Sequence, residues 1–324
     1  MKYNKQAKNL IIKKVETSLT NKKVLLQKNF YEILSKQDQK NTKDLGWFDA
    51  PNNTKVVNEV KKFIIEQDIR NFSKIIFLGI GGATITAEML SNMLHASNNQ
   101  QYEIIDSIDI DELSVIAKEI TIENTLFVVM SKSGSTIEVL SQLYFFWKHF
   151  PSGANYIAIT ESESKLYEHA TKNQFLKIFE CPKNIGGRFA SLSYLGIIPA
   201  LLMDIDMNKV MHGAIKAKDA CSISFQDAAP ASLGKYIANA INEDFNNIII
   251  IIPDNLLFFA KWIEQMIAES LGKNGTGITP IICCDINRAA NLQTKSIIIN
   301  YLEPIHETFD CPVLNMKLDN ILDI

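Results

Sequence analysis

Short apolar runs rich in β-branched residues alternate with segments of helical periodicity from residue 74 to residue 299, and this alternation predicts an α/β architecture. Strands separated by helices imply parallel sheets that helices cover on both faces. The strand pattern stops after residue 178 and resumes at residue 247, which favours two α/β halves. The predicted strands are residues 74–79, 103–105, 126–130, 156–159, 175–178, 247–252, 278–282 and 296–299.

The length of 324 residues leaves room for two such halves. We predict an N-terminal helical segment over residues 1–45, a first domain over 46–180 and a second over 181–324. Residues 1–44 hold 11 lysines against four acidic residues, a net charge of +7. Such a run suits a nucleic-acid arm or the solvated faces of helices. Apolar residues at helical spacing favour the helices, so we expect no nucleic-acid partner.

Cysteine usage and hydropathy predict a protein of the reducing cytoplasm. The five cysteines form no CxxC pair, and their odd number argues against a disulfide framework or a cysteine metal site. The N-terminus carries no pattern of a secretory signal. The longest uncharged apolar stretch, residues 189–203, has 15 residues and includes Pro199. It is too short to span a bilayer, so we expect a buried helix and no membrane partner.

A loop rich in hydroxyl groups is the strongest candidate for an anion site. Ser131-Lys132-Ser133-Gly134-Ser135-Thr136 follows a predicted strand and opens a predicted helix. Unpaired N–H groups and the positive end of the helix dipole favour a phosphate at such a place. The spacing differs from the Walker A pattern, which disfavours a nucleoside triphosphate. The alternative is structural, with Ser135 simply capping the helix.

Two glycine-containing motifs lie before and after this loop. Gly79-Ile-Gly-Gly82 follows the first predicted strand, where glycines allow a ligand to approach the backbone. It lacks the third glycine of a dinucleotide fingerprint, which disfavours an NAD site. Arg188 follows two glycines and is one of only three arginines in the chain. Its guanidinium suits stabilisation of an anionic intermediate, and the alternative is a structural ion pair.

Gln265 and Glu269 are four residues apart and share one face of a predicted helix that ends at Gly272. A carboxylate in the last helical turn faces the negative end of the dipole, which disfavours its ionisation. That property suits a general base. The alternative is an ordinary solvent-exposed glutamate, which the spacing alone does not exclude.

Together these motifs resemble the phosphoglucose isomerase family, which is built from two sugar isomerase (SIS) domains with flavodoxin-like sheets. The resemblance extends over roughly residues 45–283 and keeps the family's motif order. The matching stretches are Gly79-Ile-Gly-Gly82, Ser131 to Glu138, Gly186 to Ser191 with Leu195 to Ala200, and Gln265 to Lys273.

The resemblance implies an aldose–ketose isomerase that interconverts glucose 6-phosphate and fructose 6-phosphate in glycolysis and gluconeogenesis. It implies a cis-enediol intermediate, no metal, no organic cofactor and a homodimer. Glu269 would be the base, Arg188 would stabilise the enediolate, and Gln265 would line the pocket. The substrate-binding residues implied are Gly81, Gly82, Ser131, Lys132, Ser133 and Thr136.

The chain also departs from the family pattern. Asn287 stands where the family carries a histidine that opens the sugar ring, and His306 has no motif to align it. No counterpart of the family's C-terminal lysine is found. Three hypotheses therefore remain open: a compact glucose-6-phosphate isomerase, an isomerase of another phosphosugar, and a catalytically impaired phosphosugar-binding protein that serves as a sensor or a relic.

Overall fold

The structure of the protein is a computed structural model, and it describes residues 45–94, 100–223, 229–272, 275–285, 288, 295–301 and 311–315. The predicted helical segment 1–45 lies outside these residues except for Leu45. Contacts within the chain define two compact units, one comprising Lys43–His212 and one containing Gly213–Ile324. The first unit therefore extends farther along the chain than residue 180, because residues after 180 pack on the first sheet.

The first unit contains a five-stranded parallel sheet in the order β2-β1-β3-β4-β5. Strand β2 is added on one side of β1 and strands β3 to β5 on the other, which is the order of a flavodoxin-like doubly wound sheet. The strands are β1 (Lys74–Gly79), β2 (Gln101–Ile105), β3 (Thr125–Met130), β4 (Tyr156–Thr160) and β5 (Lys177–Glu180).

Helices cover both faces of this sheet. Successive strand residues point to opposite faces, so Ile75 and Phe77 contact one helical layer while Ile76 and Leu78 contact the other. The first layer contains α1 (Thr54–Glu66), α2 (Gly82–Leu94) and α6 (Tyr194–Leu202); the second contains α3 (Ile110–Lys118), α4 (Ile137–His149) and α5 (Lys165–Lys172). The continuous apolar strands that predicted a doubly covered sheet are thus buried on both faces.

The apolar stretch 189–203 forms a shorter α-helix than predicted. A 3-10 helix, Gly187–Leu192, precedes it, and the Ser193 side chain accepts a hydrogen bond from the backbone N–H of Leu195. The α-helix therefore begins at Tyr194, and its residues Leu195 to Leu202 are buried against the first sheet. No helix in the described part of the chain has the length and apolarity needed to cross a membrane.

The second unit repeats the same winding on a smaller scale. Its four-stranded parallel sheet has the order β7-β6-β8-β9, in which β7 is added on one side of β6 and β8 and β9 on the other. The strands are β6 (Asn247–Ile251), β7 (Thr279–Cys283), β8 (Ser296–Asn300) and β9 (Val313–Asn315), and the helices are α7 (Met207–Ile223, which contains the division between the units), α8 (Ala229–Asn242) and α9 (Leu257–Leu271).

Candidate phosphate site and catalytic residues

The carboxyl ends of β1 and β3 lie side by side in the first unit. These strands are hydrogen-bonded neighbours, with Gly79 opposite Met130 in the register. The order in which strands are added to the sheet switches direction between them, and in doubly wound sheets ligands bind at that point, beyond the carboxyl ends of the strands. The predicted hydroxyl-rich loop and the Gly79–Gly82 turn follow these two strands, so the fold places both at one edge of the sheet.

Residues 131–136 connect β3 directly to helix α4. Thr136 is the N-cap residue, and no side chain in the described part of the chain caps this helix. Ser135 is therefore not the cap, contrary to the structural alternative. The first backbone N–H groups of α4 are left without intrahelical partners, which is the arrangement that binds phosphates at helix N-termini.

Three hydroxyl groups of the loop form one cluster. Ser131 Oγ donates to Thr136 Oγ1 at 3.2 Å, and Ser133 Oγ lies 3.4 Å from Thr136 Oγ1. Ser131 is buried whereas Ser133 is exposed, so the cluster extends from the sheet edge to the surface. The structure thus brings together the hydroxyl groups that the sequence predicted as phosphate ligands.

The same loop is fastened to the segment that follows β4. Glu161 N donates to Lys132 O at 2.8 Å, and Leu166 N donates to Gly134 O at 3.0 Å. Gly134 has φ +57°, and a Cβ atom there would lie 2.1 Å from Ser164 Oγ. Only glycine fits this conformation and this space without strain.

The Lys132 ammonium forms an ion pair with the Glu161 carboxylate. The two side chains are 18% and 26% exposed. The Cys181 thiol, just after β5, is close enough to interact electrostatically with both charged groups. Its burial raises its pKa to about 12, while Lys132 acts to lower this pKa and Glu161 to raise it. In this structure the partner of the Lys132 ammonium is thus the Glu161 carboxylate.

The Gly79–Gly82 turn packs against the predicted arginine motif. Gly81 has φ +65°, and α2 begins at Gly82. A Cβ atom on Gly82 would lie 3.4 Å from Gly187 O and 3.6 Å from Arg188 Cα. Thr86 Oγ1, one turn into α2, lies 3.0 Å from Ser191 Oγ. The structure thus brings Gly81 and Gly82 together with the backbone that carries Arg188.

Arg188 is partly buried, and its Cζ lies 6.0 Å from the centre of the Phe189 ring. That ring in turn stacks on Trp47, with the ring centres 5.7 Å apart. A guanidinium over an aromatic face is held by a cation–π attraction. The guanidinium of Arg188 thus lies by the Phe189 ring, while the Arg188 backbone lies beside Gly82.

Gln265 and Glu269 belong to the second unit, on helix α9. Gln265 Nε2 donates to Glu269 Oε1 at 2.8 Å, which confirms that they share a helix face. The helix ends at Leu271 with Gly272 as its C-cap residue, so Glu269 lies in the last turn as predicted. Glu269 is exposed and Gln265 is partly buried. Asn287, His306 and Lys273 lie outside the described residues.

Two polar residues at this edge of the first sheet were missed by the sequence analysis. Gln142 is fully buried on α4, and its amide group lies within 3.3 Å of the carbonyl oxygens of Gly79, Ile105 and Ser107. Gln142 is a single polar residue on the apolar face of a helix, and that pattern could have identified it. Glu161 directly follows a strand, and the position of carboxyl ends at one sheet edge could have identified it.

The sequence is similar to a known family and to several known proteins. The family described as phosphoglucose isomerase matches residues 54–295. A probable glucose-6-phosphate isomerase of Methanococcus maripaludis is 30% identical over 251 residues, which are 74% of this chain and 56% of that protein. The glucose-6-phosphate isomerase of Campylobacter jejuni is 30% identical over 257 residues, 75% of this chain and 62% of that protein. The chain thus spans little more than half the length of these relatives.

The fold has also been observed in solved structures. The crystal structure of a hypothetical protein from Thermus thermophilus superposes with a TM-score of 0.75 at 22% sequence identity. The match covers 84% of this chain and 69% of that one. This similarity supports the two-unit α/β fold.

Proposed function

The chain belongs to the phosphoglucose isomerase family, and on that premise we propose that it is a sugar-phosphate isomerase that interconverts glucose 6-phosphate and fructose 6-phosphate. The observation that carries the proposal is the hydroxyl cluster of Ser131, Ser133 and Thr136 at the uncapped start of α4. A phosphate dianion placed there gains hydrogen bonds from hydroxyl and N–H groups and a favourable dipole. Lys132 is the second residue of the same loop.

The proposed chemistry is a proton transfer between two carbon atoms. Glu269 removes the proton from C2 of the open-chain aldose, which leaves a cis-enediolate, and returns the proton to C1. The hydroxyl proton of O2 passes to O1, so that C2 becomes the carbonyl carbon of the ketose. Arg188 stabilises the negative charge that develops on the enediolate oxygens, as a fixed cation does most effectively. Gln265 holds the Glu269 carboxylate through the 2.8 Å hydrogen bond. The hydrogen stays within one molecule, so no external oxidant is consumed.

The test is a coupled assay of glucose 6-phosphate formation from fructose 6-phosphate. The wild-type chain should be active, and Glu269→Gln should lower kcat by about 10²–10⁴-fold, the usual contribution of a general base. Glu264→Gln is the matched control, because Glu264 is on the same helix but five residues away, on another face. It should retain wild-type activity.

An inactive wild type would refute the isomerase proposal. If fructose 6-phosphate nevertheless raised the melting temperature of that inactive protein, a phosphosugar-binding role would take its place. Activity with a different phosphosugar and none with fructose 6-phosphate would keep the reaction class and replace the substrate.

We also propose, from the family, that the protein works as a homodimer in the cytoplasm and serves glycolysis and gluconeogenesis. The measurement is the molar mass of the full chain by light scattering during gel filtration. A dimer should elute with twice the mass of the chain, and a mass equal to that of one chain would contradict the assembly.

A further inference from the structure

The hydroxyl-rich loop, residues 131–136, which we call the phosphate loop, is attached on one side to the segment that follows β4. Two backbone hydrogen bonds join residues 132 and 134 to residues 161 and 166, and Thr160 Oγ1 donates to Lys132 O at 3.4 Å. The ion pair between Lys132 and Glu161 adds a charged contact to this attachment. Through it, residue 161 fixes both the backbone and the side chain of residue 132.

The ion pair lies on the β4 side of the loop. Glu161 follows β4, and Cys181, which senses both charges, follows β5. The Gly79–Gly82 turn, by contrast, follows β1, on the other side of β3. The Lys132 ammonium is therefore held away from the point between β1 and β3 where the strand order switches direction and where the ligand of such a sheet binds.

From this geometry we propose that Glu161 is a positioning residue of the phosphate site. Its ion pair with Lys132 holds the 131–136 loop in the conformation in which the three hydroxyls converge, and it neutralises the lysine. The phosphate is then bound by hydroxyl and N–H groups rather than by the ammonium. This inference rests on the proposed function, because it assumes that a sugar phosphate binds at the loop.

The exposures of the two side chains make this pairing energetically significant. At 18% and 26% exposure the charges are less screened than a surface pair. Removal of either partner leaves the other charge partly buried without compensation, which costs more than the pair itself contributes. Either single substitution should therefore disturb the loop in the same way, and the second substitution should add little.

The test is a double-mutant cycle on the full chain with Lys132→Met, Glu161→Gln and the two combined. Calorimetric titration with fructose 6-phosphate should show each single variant binding roughly tenfold more weakly, and the double variant no weaker than the single ones. KM should rise in the same proportion while kcat stays close to wild type, because phosphate binding is remote from the reacting carbons.

Glu103→Gln is the matched control. Lys74 and Glu103 form an ion pair of similar burial on the same sheet, with an Nζ to Oε2 distance of 2.7 Å, near the amino end of β1. Its loss should change stability without changing the Kd for fructose 6-phosphate. A parallel loss of affinity in Glu103→Gln would show that any weakened sheet loses binding, and would overturn the positioning role.

In the competing arrangement, the Lys132 ammonium binds the phosphate and Glu161 competes with the phosphate for the ammonium. That arrangement predicts the opposite change in affinity for Glu161→Gln. Glu161→Gln would then tighten binding while Lys132→Met weakens it, and that result overturns the inference but leaves the proposed function intact. An unchanged affinity in Glu161→Gln also overturns it. A wild-type chain that binds no sugar phosphate would overturn the proposed function and this inference with it.

Discussion

Arg70 joins three parts of the first unit through one planar side chain. Its guanidinium donates to the carbonyl oxygens of Leu201 and Leu202 at 3.1 and 2.8 Å, and to Gln100 Oε1 at 2.8 Å. It also pairs with Asp204 at 2.9 Å, but both side chains are substantially exposed, so the ion pair itself contributes little. The main contribution of Arg70 is the further donors that it gives the last carbonyls of α6, which also accept hydrogen bonds from Tyr102 Oη and Asp204 N.

Arg70→Lys should lower the free energy of unfolding by about 1–2 kcal/mol, because one ammonium cannot reach the acceptors that the five-donor fork spans. The measurement is urea denaturation followed by circular dichroism. Arg288→Lys is the control, since Arg288 is exposed and its replacement should stay within about 0.5 kcal/mol of wild type. Equal stability of Arg70→Lys and wild type would show that the carbonyls of α6 need no guanidinium.

Gly134 has a conformation and surroundings in the 131–136 loop that only glycine fits. Its φ is +57°, and a Cβ atom added to it would lie 2.1 Å from Ser164 Oγ and 2.4 Å from Thr160 Oγ1, which excludes any side chain there without movement. Gly134→Ala should therefore cost at least about 1 kcal/mol of stability and weaken fructose 6-phosphate binding.

The control for Gly134→Ala is Gly234→Ala. Gly234 lies in helix α8, where a Cβ would meet nothing within 4 Å, so alanine should stabilise the protein by about 0.5–1 kcal/mol. Chemical denaturation and calorimetric titration of both variants give the comparison. Undiminished sugar-phosphate binding in Gly134→Ala would mean that the loop conformation is not needed for the ligand.

At the scale of elements, helix α4 is attached to the ends of two strands through Gln142. The Gln142 amide lies 3.3 Å from Gly79 O, 3.1 Å from Ile105 O and 3.0 Å from Ser107 O. Its Oε1 is buried without a hydrogen-bond partner in the described structure. Helix α4, whose N-terminus is the proposed phosphate site, is thus hydrogen-bonded to the glycine turn after β1, and one buried acceptor is left unsatisfied.

Gln142→Glu should make stability depend on pH. A carboxylate buried among three carbonyl oxygens is disfavoured, so the pKa of the introduced carboxyl group would be raised in the folded state, and the folded protein must keep that group protonated. The deficit relative to wild type should be small below the unfolded pKa of about 4.3 and should grow as the pH rises toward the folded pKa. Melting temperatures of both proteins between about pH 4 and about pH 8 measure it.

A deficit that stayed constant over this pH range would show that the residue at position 142 is solvated. Gln142→Leu separates packing from charge, because leucine removes the donors without introducing a titrating group. It should destabilise the protein by about 1–3 kcal/mol at every pH, through the carbonyls left unpaired.

At the scale of the whole molecule, ligand binding and folding stability are linked. A sugar phosphate that binds only the folded chain should raise its unfolding free energy by about 2.7 kcal/mol at a concentration of about 100 times Kd. Glu269→Gln should keep this stabilisation, because the proposed phosphate ligands are in the other unit. Ser133→Ala should reduce it, since the exposed hydroxyl belongs to the cluster.

Thermal shift with fructose 6-phosphate measures this linkage, and free fructose serves as the ligand control. Equal stabilisation by both sugars would show that the phosphate is not the group recognised. A loss of the shift in Glu269→Gln that matches its loss of turnover would place substrate binding, and not only proton transfer, on Glu269.

Local pattern predicted most of the elements. The first predicted strand, residues 74–79, coincides with β1, and the isoleucine-rich run beginning at Asn247 with β6, because a long apolar β-branched run carries its signal within itself. Strand β9 was missed because Val313–Asn315 has only three residues and forms by pairing with β8. The start of helix α6 differs from the prediction because the Ser193 side chain accepts a hydrogen bond from Leu195 N and caps the helix there.

The sequence by itself determined the α/β class, the hydroxyl-rich loop and the shared helix face of Gln265 and Glu269, because each depends on residues close together in the chain. Only the tertiary structure decided which groups far apart in the chain contact one another. Glu161 reaches Lys132 across 29 residues, Gln142 reaches Gly79 across 63, and Arg70 reaches Leu202 across 132. The order of strands sets these contacts, and strand order is fixed by packing of the whole sheet, which no local pattern encodes.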